Sequence, residues 1–118
     1  LKRNPMKARA VSRYMKISPR KTRQVVDLVR GKSVEEAFNV LQFTPKKAAR
    51  LVERTLRSAV ANAVNREETD VREEDLFVKE AFVDGGISFK RIRPQPRGAA
   101  GVIRKRYSHI TLVVADEE

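Results

Sequence analysis

A chain of 118 residues with a hydrophobic fraction of 41% is one domain's worth of protein with a modest core. It has no Cys and a single His, which excludes a disulfide scaffold, a thiolate metal site, a zinc cluster and a Cys/His dyad. Its 26 Lys and Arg against 15 Asp and Glu leave a charge of +11, a surplus that suits a polyanionic partner because cations on phosphates release counterions.

The first predicted element is a strand over 9–17, in which Ala10, Ser12, Tyr14 and Lys16 alternate with Val11, Arg13, Met15 and Ile17. Ser18-Pro19 reads as an N-cap followed by Pro at the first helical position. Thr22, Val25, Val26 and Val29 then form one buried stripe, and Gly31 stops the helix. A second helix opens at Ser33 with Glu36 three residues on, a capping-box pattern, and buries Val34, Ala37, Phe38 and Leu41. Thr44-Pro45 repeats the cap-plus-Pro signal, so the longest helix is expected over 45–65 with Ala49, Val52, Leu56, Val60 and Ala63 inside.

Residues 66–75 are polar and charged and read as a loop. Strands are expected over 76–83 and 107–114, the latter rich in β-branched residues. Between them Gly85-Gly86, a basic run and Pro94-Gln95-Pro96-Arg97-Gly98 suit one long hairpin reversing at the prolines. Its arms would project about 30–35 Å beyond the base at about 3.3 Å per residue. A two-stranded ribbon of that kind is marginal in water and needs an enclosing partner. The elements together read as one α+β domain over 1–118, with 85–106 as the arm.

Charge is unevenly placed along these elements. Residues 1–26 hold nine basic residues and no acid, 27–84 hold ten basic and twelve acidic, and 85–115 hold seven basic and no acid, before Asp116-Glu117-Glu118. A solvated surface mixes both signs, so the two acid-free flanks are the expected contact surface. No apolar run of about 18 residues is present to span a bilayer. No charged-then-apolar signal segment opens the chain, and its first residue, Leu1, leaves room for residues ahead of it.

Three constellations stand out. In Ser18-Pro19-Arg20-Lys21-Thr22-Arg23, cations oppose the dipole of a helix start, which suits a phosphate on the free N–H groups better than a solvated end. Lys46, Arg50, Arg54 and Arg57 share one stripe of the long helix, with two open readings: a face salt-bridged through Glu53, or RNA contact. The arm carries Lys90, Arg91, Arg93, Arg97, Arg104, Lys105 and Arg106 near Phe89 and Tyr107, a set for forked phosphate contacts and stacking. Gly98, Ala99, Ala100 and Gly101 allow close approach of backbone to partner.

Catalysis finds no footing. Ser108 and His109, adjacent on a strand, point to opposite faces, and there is no phosphate-cradling glycine loop followed by Lys. Glu67, Glu68, Asp70, Glu73, Glu74 and Asp75 read as a solvated turn rather than a cation site. No catalytic residue, cofactor or metal is expected. The rivals to RNA contact are a free-standing module coating DNA or RNA and a membrane-surface protein. The second is weakened by a long helix whose apolar face is alanine-rich and lacks aromatic anchors.

Several strings carry a resemblance. Ile17-Ser18-Pro19-Arg20-Lys21, Val25-Val26-Asp27-Leu28-Val29-Arg30-Gly31-Lys32, Phe43-Thr44-Pro45-Lys46-Lys47-Ala48-Ala49 and Ser58-Ala59-Val60-Ala61-Asn62-Ala63 resemble the helices of the L-twenty-two family of large-subunit ribosomal proteins. Val78-Lys79-Glu80-Ala81-Phe82-Val83-Asp84, Lys90-Arg91 and Lys105-Arg106 through Ser108-His109-Ile110-Thr111 resemble its hairpin arms and last strand. The likeness runs in family order from about residue 7 to 114.

It implies a small domain of three helices packed on a three-stranded antiparallel sheet, with a long protruding β-hairpin. It also implies a structural constituent of the large subunit that binds 23S-type ribosomal RNA and supports assembly, its hairpin tip lining the polypeptide exit tunnel. The implied setting is monomeric within a cytoplasmic ribosome, an organellar one being the alternative, among neighbouring ribosomal proteins and the passing nascent polypeptide. Carried onto this chain, the RNA-binding residues are Arg9, Arg13, Ser18, Arg20, Lys21, Arg23, Lys46, Lys90, Arg91, Arg93, Arg97, Arg104, Lys105, Arg106 and His109. The tunnel-lining tip is Arg91, Ile92, Arg93, Pro94, Gln95, Pro96 and Arg97. Here the sequence departs from the family: Gln95 and Ala99 stand where arginines are usual, Arg93 is an added cation, and Tyr107 replaces a small hydroxyl residue.

Overall fold

The computed structural model describes residues 6–66, 71–85, 89–94, 100–105 and 107–116. Strand β1, Lys7–Met15, turns Ala8 and Ala10 inward and by alternation sets Lys7, Arg9, Val11 and Arg13 on the opposite face. It starts two residues before the expected position. It ends at Met15, whose carbonyl accepts the Ile17 N–H (2.8 Å) in a tight turn toward the first helix.

Helix α1, Pro19–Val29, buries Thr22, Val25, Val26 and Val29, the stripe set by its apolar spacing. It stops at Gly31, whose φ of +81° is open to glycine and strained for other residues. That turn sends the chain along β2, Phe77–Gly85. The Gly31 N–H donates to the Val78 carbonyl (2.9 Å), the Val78 N–H to the Lys32 carbonyl (2.8 Å), and the Val34 N–H to the Leu76 carbonyl (3.1 Å).

Helix α2, Val34–Gln42, follows the usual rules at its start: the Ser33 hydroxyl accepts the Glu36 N–H (3.3 Å), and Glu35 and Glu36 lie in the first turn. Val34, Ala37 and Leu41 are buried, while Phe38 is half-buried. Helix α3, Lys47–Val64, begins later than the Thr44-Pro45 signal suggests, with Lys46 as its N-cap residue. The reason lies in Thr44: its hydroxyl turns back to the Val40 carbonyl (2.6 Å) and closes α2 instead of capping α3. The five expected core residues of α3 are all buried, joined by Ala48, Thr55 and Ala59, because sheet and helices pack on adjacent sides of it.

The 66–75 segment contains a 3₁₀ turn, Glu73–Asp75, where the Asp75 carboxylate accepts the Arg72 N–H (3.3 Å). Buried Val71 and Leu76 pin the ends of that turn to the body. Strand β2 then runs antiparallel to β5, Ser108–Ala115, which also pairs with β1, so the sheet order is β1-β5-β2. A bulge between Val78 and Glu80 shifts the alternation by one residue, which is how Val78, Ala81 and Val83 can all face the helices. Helix α3 packs on β1 and β5, α1 on β2, and α2 mainly on α3 and α1.

The core between these layers holds Val26, Leu41, Val52, Leu56, Leu76, Ile110, Leu112 and Val114, all essentially inaccessible. Among the described residues the expected hairpin is seen as two ladders, with residues 86–88 and 106 between them outside the description. The first ends at the Gly85–Ser108 rung, and the second pairs β3, Phe89–Pro94, with β4, Ala100–Lys105. This second sheet has two strands only and lengthens the molecule to 72 × 26 × 20 Å. The architecture is α+β, three helices on a three-stranded antiparallel sheet, with the hairpin running out from it.

Candidate nucleic-acid interface

Two helix starts in this fold violate the rules that α2 obeys. At α1 the Ser18 hydroxyl makes no capping bond, Pro19 has no N–H to offer, and the first turn carries no acid. At α3 the N-cap residue is Lys46, a side chain with no acceptor, and again no acid follows in the first turn. Both ends therefore keep unsatisfied N–H groups and surround them with ammonium and guanidinium groups, at a cost of some tenths of a kcal/mol per charge.

The two starts open onto one groove of about 600 Å³, whose lining includes Lys16, Ser18, Lys21, Gln24, Lys46 and Lys47. The Lys46 ammonium reaches across to the Gln24 carboxamide oxygen (3.3 Å), so the two helix ends are tied to each other. Arg20, in the first turn of α1, is exposed. Uncapped N–H groups and four lysines give the groove a cationic lining of the kind that suits an anion, with no hydroxyl–base pair in it.

Arg23 is also exposed, but its Nε donates to the Val83 carbonyl (3.1 Å). With Arg30, whose Nε and Nη2 both donate to the Ala81 carbonyl (3.1 and 2.5 Å), it covers the free edge of β2. The α3 stripe divides between its two readings. Glu53 binds Arg50 (3.2 Å) and Arg57 (3.1 Å), and Arg50 also donates to the carbonyls of Leu41, Gln42 (3.3 Å) and Thr44 (3.4 Å). Arg50 is thus a clamp on the α2–α3 loop, while Lys46 at the end of the stripe belongs to the groove.

Arg9 and Arg13 lie exposed on the sheet face away from the helices, apart from the groove. The Arg9 carbonyl accepts the Asn62 carboxamide N–H (3.0 Å), fixing that strand to α3. His109 sits half-buried on the same outer face, in register with Asp84. Its neighbour Ser108 is buried and donates its hydroxyl to the Ile17 carbonyl (2.6 Å), a purely structural bond. In the arm, Lys90 and Arg104 occupy one rung of the ladder, Arg91 faces Ile103, and Arg93 faces Gly101. Gln95, Pro96, Arg97, Ala99 and Arg106 lie outside the described residues, as do Glu67, Glu68 and Asp70 of the acidic cluster.

Sequence reasoning passed over Lys16 and Lys47, which belong to the groove as fully as Lys21 and Lys46. Both lie in stretches without acid, and that signal was available, but the meeting of the two helix starts was not. No helix among the described residues is long and apolar enough to cross a membrane.

The family profile described as "Ribosomal protein L22p/L17e" matches residues 10–115. Among curated relatives, "Large ribosomal subunit protein uL22" of Halothermothrix orenii is 52% identical over 113 residues, 96% of this chain and 98% of that one. Its namesake in Thermus thermophilus is 52% identical over 112 residues, covering 95% and 97%. The namesake in Thermotoga sp. is 55% identical over 111 residues, covering 94% and 69%. A profile match over most of the chain and relatives at this identity establish membership, and the groove and arm belong to a structural protein rather than an enzyme: the chain is a member of the L22 ribosomal protein family, a constituent of the large ribosomal subunit.

Proposed function

We propose that the chain binds large-subunit ribosomal RNA as a single unit. The groove between α1 and α3 takes backbone phosphates, and the 85–106 arm enters the folded RNA so that its tip lines the polypeptide exit tunnel. The observation that carries this reading is the contrast among the helix starts. Helix α2 is capped by Ser33 with two acids in its first turn, whereas α1 and α3 are uncapped and ringed by cations where they meet. Stability alone would have favoured the α2 arrangement at all three.

Within this reading Arg20, Lys21, Lys46, Lys16 and Lys47 contact phosphates around the groove, and Arg9 and Arg13 do so from the sheet. Lys90, Arg91, Arg93, Arg104 and Lys105 make the contacts of the arm, joined by Arg97 and Arg106, and the 91–97 tip meets the nascent chain. The protein works as one copy among neighbouring ribosomal proteins. The elongated shape favours this over a free-standing polyanion coat, which would spread its charge over one face of a compact body.

The test is binding to large-subunit ribosomal RNA fragments and to unrelated structured RNA across a salt series, for the intact chain and for one lacking residues 86–100. The intact chain is expected to prefer the ribosomal fragment by about tenfold or more at physiological salt, and the deletion to reduce that preference. Equal binding of both RNAs, tracking salt alone, would overturn the reading.

A further inference from the structure

Phe43 is the most exposed large apolar side chain among the described residues, at 79% against 44% for Leu28 and Phe82. It takes no part in the core cluster, so its ring is not required to fold the domain. Yet the loop that presents it, between α2 and α3, is tightly held. The Phe43 N–H donates to the Asn39 carbonyl (3.3 Å), the Thr44 N–H to Leu41 (3.3 Å) and the Thr44 hydroxyl to Val40 (2.6 Å). The Arg50 guanidinium adds bonds to the carbonyls of Leu41, Gln42 and Thr44. A ring displayed to water on a restrained loop has lost little further freedom to give when a partner covers it.

The surroundings say what kind of partner fits. Phe43 shares a shallow depression with Pro45, Lys46, Lys47 and Arg50, and the same Lys46 and Lys47 line the groove between α1 and α3. From residue 37 to residue 52 there is no acid. An exposed aromatic ring beside lysine ammonium groups is the pairing used to stack an unpaired base while holding its phosphates. An apolar protein neighbour would leave those lysines to be desolvated without a counter-charge.

We propose that Phe43 is a stacking platform for an unpaired base of the large-subunit RNA, with the adjoining phosphates over Lys46 and Lys47. The inference rests on the RNA-binding reading above and deepens it to one nucleotide contact. Because the chain has no Trp, Phe43→Trp places a single fluorophore at the site without altering the core. Emission of that variant is expected to be quenched when a large-subunit RNA fragment binds.

Phe43→Ala is expected to bind the same fragment about 5- to 100-fold more weakly, with an unchanged salt slope because no phosphate contact is lost, while Phe43→Tyr binds as the wild type does. A melting temperature equal to wild type shows that the alanine variant is folded. If Phe43→Ala binds like wild type while the intact chain still prefers ribosomal RNA, the stacking platform is wrong and the RNA reading stands. A blue-shifted, unquenched emission in the assembled subunit also overturns the platform and assigns the ring to a protein neighbour. If the intact chain shows no preference for ribosomal RNA, both fall together.

Discussion

Single arginines in this protein do different jobs that a count of charges merges. Arg20 is exposed in the first turn of α1, Arg23 and Arg30 cover carbonyls of β2, and Arg50 bridges a loop. Arg50→Gln is therefore expected to lower unfolding free energy by about 1 kcal/mol, a figure reduced for the half-exposure of the side chain. Urea denaturation would measure it. Arg50→Lys should recover only part of the loss, since one ammonium cannot reach several carbonyls and Glu53 as a planar fork does. Neither change should alter the salt slope of RNA binding, whereas Lys46→Gln should reduce it by close to one. A slope that falls with Arg50 would show it to be a phosphate ligand after all. By spacing alone, Lys46 and Arg50 are equivalent members of one stripe, and only the family resemblance picks out Lys46 as an RNA contact. The carbonyls gathered at the end of α2 are what give Arg50 its separate role.

At the scale of elements, the connection from α1 to α2 is the decisive piece. It pairs with the start of β2 through Gly31, Lys32 and Val34, and Arg30 and Arg23 continue the cover along the same edge at Ala81 and Val83. An edge strand that would otherwise offer open carbonyls to another chain is thus occupied by its own helix. The conformation depends on Gly31 at φ +81°, where an added Cβ would meet nothing within 4 Å. Gly31→Ala should accordingly cost about 1 kcal/mol from backbone strain alone, without a packing clash. Thermal unfolding would show the loss. No loss, or a loss several times larger, would mean that the turn relaxes or that the edge cover fails as a unit. The glycine stop was legible in the sequence. Its role in sheltering β2 was not, because the partner strand lies more than forty residues away.

For the whole molecule, stability and contact surface are set apart. The apolar side chains of the core lie between the three helices and the β1-β5-β2 sheet. The second sheet has two strands, with Lys90 and Arg104 on one rung. A ribbon of this kind gains little stability of its own in water. Amides of β3 and β4 in the free protein are therefore expected to exchange far faster than those of Ile110 and Leu112 in β5, and to gain protection when ribosomal RNA is added. Hydrogen exchange with and without RNA reads this directly. Equal protection of 89–94 and 100–105 in the two samples would show that the arm is ordered without its partner.

Local chemistry was readable along the chain because it depends on near neighbours. The stripes of α1 and α3, the Ser33 cap, the glycine stop and the acid-free flanks all follow from residues within a turn or two of each other. What required the tertiary structure were the meetings of distant segments. These are the two uncapped helix starts on one groove and the reach of Arg23 and Arg30 to the edge of β2. A side chain's partner is chosen among all groups that packing brings within hydrogen-bond reach, and sequence spacing constrains only those on its own element.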